Sequence, residues 1–176
     1  MRVKLRWQAG FTMIEILIVV VIIAVLAGVA FPVGRSMIAR SREAACLGNL
    51  RGIGVGLQLY LQDHNQLLPT MELARPSASV AVPVLETVLR QYVDGPETFR
   101  CPEDKEEYKK TGSSYSWNTT QNGVHMSRVS FFGDETSPQN VPLVFDKEDW
   151  HPSGTNFLYA DCSSSNKARF VTGSAQ

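Results

Sequence analysis

A long apolar stretch near the N-terminus constrains this chain more than any other feature. It extends from Phe11 to Phe31 and carries one charged residue, Glu15. A helix of this length rises about 1.5 Å per residue and spans roughly 31 Å, which is close to the hydrocarbon thickness of a bilayer. The stretch therefore predicts a helix that is long enough to cross a membrane.

The residues that flank this stretch predict its orientation and its fate. Three basic residues lie within the first six positions, and basic residues beside a first transmembrane helix stay on the cytoplasmic side. A secretory signal carries its small-residue cleavage site after the apolar stretch, whereas here Ala9 and Gly10 come before it. We therefore expect the apolar helix to be retained and the chain from Pro32 onward to lie outside the membrane.

Beyond Pro32 the pattern becomes that of an amphipathic helix continuing to about His64. Pro32 has no N–H to donate, which predicts a kink or loosening of the helix nearby. Small residues recur every fourth position and predict a close approach on one face, either by the domain's own sheet or by another helix in an assembly. The apolar positions are Leu47, Leu50, Ile53, Leu57 and Tyr60 or Leu61, and the small ones are Ala44, Gly48, Gly52 and Gly56.

The remainder of the chain predicts a small α+β domain. A helix is expected from Pro83 to about Tyr92, and short β-prone runs separated by turn residues indicate an antiparallel sheet packed on the long helix. The runs cover residues 114–117, 141–146, 156–159 and 168–172. The expected organisation is a leader at 1–10, a transmembrane helix at 11–31, its amphipathic continuation at 32–64 and a globular domain at 65–176.

The start of the apolar stretch resembles a known processing site. The run Ala9-Gly10-Phe11-Thr12-Met13-Ile14-Glu15 is similar to the N-terminus of type IV prepilins and type II secretion pseudopilins. The resemblance implies that a prepilin peptidase cuts between Gly10 and Phe11 and methylates the new amine of Phe11. It also implies a pilin-like fold in which the long helix packs on the sheet.

Glu15 is costly inside a membrane and needs a partner. A carboxylate in an apolar helix costs roughly 2.5–3.5 kcal/mol on insertion scales. The resemblance implies that Glu15 pairs with the Phe11 amine of a neighbouring subunit and sets the register of a filament. The alternative is a plain signal anchor in which Glu15 lies close enough to the interface to stay hydrated.

The downstream sequence resembles one pseudopilin-like branch, which is marked by a His, nine residues and then Asp-Gly. His151 and Asp161 have this spacing, but Cys162 stands in the place of the Gly. If that Gly has a positive φ, a cysteine there is strained. The resemblance also implies a disulfide between Cys46 and Cys101, with Cys162 left as a free thiol.

Candidate chemistry beyond assembly is sparse. His151, Asp161 and Ser163 supply the residue types of a catalytic triad, but no nucleophile-elbow motif surrounds a serine, so no enzyme is predicted. The carboxylates of Asp146, Asp149 and Asp161 are the hard oxygen ligands that Ca²⁺ prefers, and they are the candidate calcium site. No other cofactor motif occurs. The 17 basic and 17 acidic residues balance, so no nucleic-acid partner is expected.

These observations predict a structural subunit of a type II secretion pseudopilus or a type IV pilus-like filament. The implied partners are further copies of the chain, other pseudopilins, the prepilin peptidase and an inner-membrane assembly platform. The implied location is the bacterial inner membrane, with the C-terminal domain periplasmic, and then the filament. The alternative is a membrane-tethered periplasmic module that binds DNA or a surface polymer and never polymerises.

Overall fold

The computed structural model describes residues 11–131 and 137–169. Two compact units are distinguished, an N-terminal unit of residues 1–38 and a C-terminal unit of residues 39–176. The leader lies outside the described residues, and Gly10 with it. The amphipathic stretch from residue 39 onward thus belongs to the same unit as the globular domain, whereas residues 32–38 belong to the unit of the apolar segment.

One long helix and a small antiparallel sheet dominate the structure, which confirms the expected α+β pilin-like fold. Helix α1 runs from Met13 to Asp63. It continues through Pro32, so the proline does not end it, and a kink at this position stays a prediction. Two short helices follow, α2 at Leu85–Val88 and α3 at Glu107–Thr111.

The sheet has four strands in sequential order, each antiparallel to the next. In register, Ser116 pairs with Phe145, and Phe145 with Phe157. A register shift between Pro142 and Val144 interrupts the pairing of the second and third strands. The strands are β1 at Tyr115–Trp117, β2 at Pro142–Asp146, β3 at Phe157–Tyr159 and β4 at Ser164–Ser165.

The core of the C-terminal unit lies between one face of α1 and the sheet. The apolar face predicted from the sequence is buried with the large side chains of β1 to β3, because each would otherwise expose its apolar surface to water. Polar bonds fix the packing: the Ser164 hydroxyl donates to the carbonyl of Leu47, and the Asn49 amide to that of Arg100. The buried residues include Leu50, Ile53, Leu57, Leu61, Trp117, Leu143, Val144 and Leu158.

Two glycines of the predicted small-residue face, Gly52 and Gly56, receive a close neighbour, although not from the sheet. A Cβ placed on Gly56 would lie 2.7 Å from Val93 Cγ1 and 3.0 Å from the Tyr92 carbonyl oxygen, and one on Gly52 would lie 3.1 Å from Thr98. The small-residue face thus accommodates the segment that follows α2. Gly48, on the same face, has no such neighbour within 4 Å among the described residues.

The expected helix from Pro83 to Tyr92 was wrong, and the expected strand at 168–172 can be compared only over its two described residues. The helix expected from Pro83 to Tyr92 is limited to the four residues of α2, because the chain turns after Val88 and brings Tyr92 to Gly56. The last strand lies at Ser164–Ser165, earlier than the expected run at 168–172, of which residues 170–172 lie outside the described part.

Candidate functional site

The N-terminal unit presents an apolar surface that nothing else in the described chain covers. Its large apolar side chains are all exposed, and their exposed fractions lie between 46% at Val33 and 93% at Met13. By length and composition, α1 is the one helix among the described residues that can cross a membrane, with a mean hydropathy of 3.2 over its most apolar window. Such a surface needs lipid or protein around it in place of water.

Glu15 and Thr12 form a reciprocal cap at the start of α1. The Thr12 N–H donates to Oε2 of Glu15 at 3.4 Å, and the Glu15 N–H lies 3.3 Å from Oγ1 of Thr12. This is the capping box, in which two backbone donors that the helix leaves unpaired are satisfied. The Thr-x-x-Glu spacing was visible in the sequence but was not recognised there as a helix start.

The far end of the apolar stretch is marked by a basic residue. The guanidinium of Arg35 lies over the ring of Phe31, with Cζ 4.5 Å from the ring centroid. Arginine next to an aromatic ring is typical of the boundary between hydrocarbon and water, since the ring stays apolar while the charge reaches solvent. The contact is consistent with a membrane boundary near Phe31, where the sequence predicted it.

In the C-terminal unit, Cys46 of α1 and Cys101 are joined by a disulfide, with their Cα atoms 5.1 Å apart. Both residues are fully buried. The N–H of Cys101 donates to the Ser114 hydroxyl, which in turn donates to the Asp104 carboxylate. The disulfide therefore ties the long helix to a loop that the start of the sheet holds in place. Cys162 is the free cysteine of the described chain.

His151 lies beside this disulfide and not beside Asp161. Its Nε2 is 3.2 Å from Sγ of Cys101 and 3.7 Å from Oδ2 of Asp146. Its side chain is fully buried, and burial lowers the pKa of His151 although the Glu43 and Glu103 carboxylates raise it. The imidazole is thus held neutral at neutral pH, and the contact with Asp146 is not a full ion pair.

Asp146 is the other buried ionisable group of this cluster. Burial raises the pKa of Asp146 to about 7, against the hydrogen bond that its Oδ2 accepts from the Asn156 N–H at 2.8 Å. Its second oxygen, Nδ1 of His151 and the side-chain amide of Asn156 have no hydrogen-bond partner among the described residues. Unpaired buried polar atoms are costly, so this cluster is unusual for a core.

The three carboxylates predicted to bind calcium are not brought together. Asp146 is buried beside His151, Asp149 accepts a hydrogen bond from Thr155, and Asp161 accepts two from Ser163. Among the described residues, only Cys46, Cys101 and His151 form a group of three with ligand atoms mutually within 4.8 Å. Calcium stays a prediction that this geometry does not favour.

His151, Asp161 and Ser163, which supply the residue types of a catalytic triad, also lie in different surroundings. Ser163 donates to Asp161 at 2.6 Å, but among the described residues no hydrogen bond joins either of them to His151. Asp161 and Ser163 belong to the turn between β3 and β4, where Arg169 donates to the Ser163 hydroxyl. Among the described residues, the Ser163 hydroxyl therefore has a carboxylate beside it but not the imidazole that a catalytic triad requires.

The same turn contains Cys162 in a left-handed conformation, with φ of 62°. The branch pattern has glycine here, and the structure supplies the reason, since a residue without Cβ adopts positive φ readily. The Cys162 thiol is half-buried and lies 3.6 Å from the carbonyl oxygen of Gly54. Burial raises the pKa of Cys162, with a further contribution from Asp161.

Comparison with known proteins gives two matches. The family model described as "Prokaryotic N-terminal methylation motif" matches residues 8–31. The type II secretion system core protein G of Pseudomonas aeruginosa PAO1 is 36% identical over 59 residues, which are 34% of this chain. The match spans 42% of that protein's length. No solved structure matches the chain significantly.

The family-model match falls on the part of the chain where the structure has its exposed apolar helix. The two matches point to a structural protein and not to an enzyme. A single apolar N-terminal helix together with this motif also fits an anchor in the inner membrane. The motif, the similarity to core protein G and the long helix with its small antiparallel sheet make this chain similar to type IV pilin-like pseudopilins.

Proposed function

We propose that this chain is cut by a prepilin peptidase between Gly10 and Phe11 and then polymerises through α1 into a type II secretion pseudopilus or a related filament. One observation carries the proposal: the apolar surface of residues 11–38 is not covered by any described part of the chain. Before assembly, lipid covers it. In a filament, the same helices of neighbouring copies cover it.

Glu15 gives the assembly its register. Within the apolar segment it is the one acid, and among the described residues its carboxylate receives only the weak, exposed bond from the Thr12 N–H. Cutting after Gly10 would create an amine at Phe11, and pairing that amine with Glu15 of another copy would neutralise both charges. Transfer from lipid to filament is then favourable at one axial position and costly at others.

The membrane orientation follows from charge. The basic leader stays cytoplasmic, so the C-terminal unit lies in the periplasm, where a disulfide such as Cys46–Cys101 persists. Other pseudopilins, the prepilin peptidase and an inner-membrane assembly platform are the partners that this function requires. The similarity to type II secretion core protein G supports secretion as the process served.

Mass spectrometry of the N-terminus tests the processing step. Protein isolated from its host should begin at Phe11 and carry a methyl group on that amine. Protein from a strain without prepilin peptidase should begin at Met1 and still contain the leader. A wild-type protein that begins at Met1, or one that lacks the whole apolar stretch, would contradict the proposal.

Substitution of Glu15 tests the assembly step separately. Glu15→Gln removes the charge but keeps a side chain that still caps the helix. It should be processed normally and remain in the membrane, yet fail to enter filaments that are sheared from cells and counted by immunoblot. Glu72→Gln, at an exposed acid of the C-terminal unit, is the charge-matched control and should assemble.

The tethered binding module makes the opposite prediction. If Glu15→Gln leaves both localisation and function intact, the chain does not need to polymerise, and the binding-module alternative replaces the filament subunit.

A further inference from the structure

The buried cluster beside the disulfide has a composition that neither the fold nor filament assembly requires. Sγ of Cys46, Sγ of Cys101 and Nε2 of His151 all lie within 4.8 Å of one another, and all three residues are buried. They come from three separate parts of the chain: α1, the loop before α3, and the connection between β2 and β3. The fold itself therefore brings these ligand atoms together.

Two sulfur atoms and one imidazole nitrogen are a ligand set of the kind that Zn²⁺ selects. In a tetrahedral site with bonds of about 2.3 Å to sulfur and about 2.0 Å to nitrogen, a sulfur and a nitrogen lie roughly 3.5 Å apart. The observed separation of Cys101 Sγ and His151 Nε2 is 3.2 Å. The imidazole thus already has nearly the position that a shared metal ion demands.

We propose that the dithiol form of this chain binds one Zn²⁺-type ion through Cys46, Cys101 and His151. The disulfide form cannot do so, because both sulfurs are committed to each other. The dithiol form is the one that a new chain has before its disulfide forms. On binding, two S–H bonds are broken, two metal–sulfur bonds form and two protons leave to solvent, so the two thiolates balance the charge of the ion.

The surroundings provide an independent reason to expect a ligand here. Oδ1 of Asp146, Nδ1 of His151 and both side-chain polar atoms of Asn156 are buried without a hydrogen-bond partner among the described residues. Asp146 also places Oδ2 3.7 Å from the imidazole Nε2, so a carboxylate is available at the edge of the site to complete the coordination or to hold a bound water. Burying these polar atoms without partners costs free energy, so their presence in the core calls for an explanation.

The consequence is an exchange of one cross-link for another. The disulfide ties α1 to the Cys101 loop covalently, and the metal ion would tie the same two residues, together with the β2–β3 connection, in the form that lacks the disulfide. A chain that has not yet been oxidised would then already be held in the folded arrangement. This inference concerns the C-terminal unit and does not depend on polymerisation.

The test uses the full-length protein in detergent micelles under anaerobic conditions. A water-soluble phosphine reduces the disulfide, taking up the oxygen of one water while each sulfur gains a proton. Co²⁺ is then titrated in place of Zn²⁺, because thiolate ligation gives a charge-transfer absorption band. The reduced wild type should bind one Co²⁺ per chain with this band, Zn²⁺ should displace it, and the oxidised protein should show no band.

Variants assign the ligands. Cys46→Ser combined with Cys101→Ser should abolish the band, and His151→Ala, which removes a ligand, should weaken binding by more than the roughly tenfold that loss of a ligand-orienting group costs. Cys162→Ala is the matched control and should bind as the wild type does. The fold of each oxidised or substituted protein is checked by the fluorescence of the buried Trp117.

Each contrary result overturns the assignment. A reduced, folded wild type without the band has no such site. A band that survives the double cysteine substitution and disappears with Cys162→Ala places the metal at the free thiol. Unchanged affinity in a folded His151→Ala protein removes the imidazole from the ligand set.

Discussion

Thr12 and Glu15 satisfy each other's backbone N–H groups at the first turn of α1. This reciprocal bonding gives Glu15 a task within its own subunit, in addition to the proposed pairing with the amine of another copy. The two tasks call for different atoms, since capping needs only a side-chain acceptor whereas the pairing between subunits needs a negative charge. They can therefore be separated by substitution.

Thr12→Ala should loosen the first turn of α1 and leave assembly intact. The loss of an N-cap hydroxyl costs about 1 kcal/mol, which predicts faster hydrogen exchange at the amides of residues 13–16 in micelles. Glu15→Gln should show the reverse, with exchange near that of the wild type and no filaments. If Thr12→Ala abolishes filaments as fully as Glu15→Gln does, the cap and not the charge is what assembly requires.

On the small-residue face of α1, alanine substitutions at two glycines eight residues apart should have opposite effects on stability. Gly48→Ala should stabilise the C-terminal unit by up to about 1 kcal/mol, because alanine favours the helix and nothing lies within 4 Å of the new Cβ. Gly56→Ala should destabilise it by about 1–3 kcal/mol, because the new Cβ would lie 2.7 Å from Val93 Cγ1. Denaturant unfolding monitored by tryptophan fluorescence measures both.

The same pair addresses the second explanation of this face, close packing between helices of different copies. Gly48→Ala that unfolds at higher denaturant but forms fewer filaments would assign the exposed part of the face to assembly. A stabilised variant with normal filament yield would leave only the contact within the subunit.

Removal of the disulfide should lower stability substantially. The link joins residues 55 positions apart, and closing a loop of this length contributes up to about 4 kcal/mol through the entropy of the unfolded chain. Cys46→Ala combined with Cys101→Ala should reduce the free energy of unfolding by about 2–4 kcal/mol in the presence of a chelator. Cys162→Ala, which removes no disulfide, should change it far less, and equal losses in the two proteins would contradict the structural role of the bridge.

Glu43 predicts a specific acid sensitivity. Burial alone would raise the pKa of Glu43, but hydrogen bonds from Ser153 and Asn166, together with the charge of Arg40 and that of His151 once acid protonates it, lower the pKa of Glu43 below 4.5. A carboxyl with a lowered pKa in the folded state stabilises the fold above its unfolded pKa, and this stabilisation is lost as the pH falls through the folded value.

The wild type should therefore be more stable than Glu43→Gln at pH 7, and the difference should shrink as the pH falls below about 4.5. Unfolding curves at several pH values measure it, with Glu72→Gln as the exposed control. A difference between wild type and Glu43→Gln that stays constant from neutral to acid pH would show that the hydrogen bonds, and not the charge, matter.

Local patterns were enough to predict the elements but not the buried polar cluster. The apolar run, the three-and-four spacing of Leu50, Ile53 and Leu57 and the β-prone residues of β2 each act over a few neighbouring positions, so the sequence reveals them. His151 meets Cys101 across 50 positions of chain, and no periodicity encodes such a contact. The spacing of His151 and Asp161 in the branch pattern gave no indication of this contact.

The last strand illustrates the same limit. Ser164 and Ser165 have little preference for a strand, yet they pair with Leu158 and Phe157 because the turn at Cys162 folds the chain back onto β3. In a hairpin, the geometry of the turn fixes which residues pair across the two strands. The position of Cys162 in the branch pattern, where other sequences have glycine, could have located the turn and therefore this strand. The β-propensity of the residues beyond could not.

The positive φ at Cys162 predicts a difference in stability between glycine and alanine at this position, because the two residues differ in the backbone conformations that they allow. A residue with a Cβ pays about 1–2 kcal/mol in the left-handed region, whereas glycine pays instead about 0.5–1 kcal/mol of extra entropy on folding. Cys162→Gly and Cys162→Ala both lose the contact with the Gly54 carbonyl, so their comparison isolates the backbone term. The glycine variant should be more stable than the alanine variant by up to about 1 kcal/mol in denaturant unfolding. Equal stability, or a more stable alanine variant, would mean that the turn relaxes out of the left-handed region in solution.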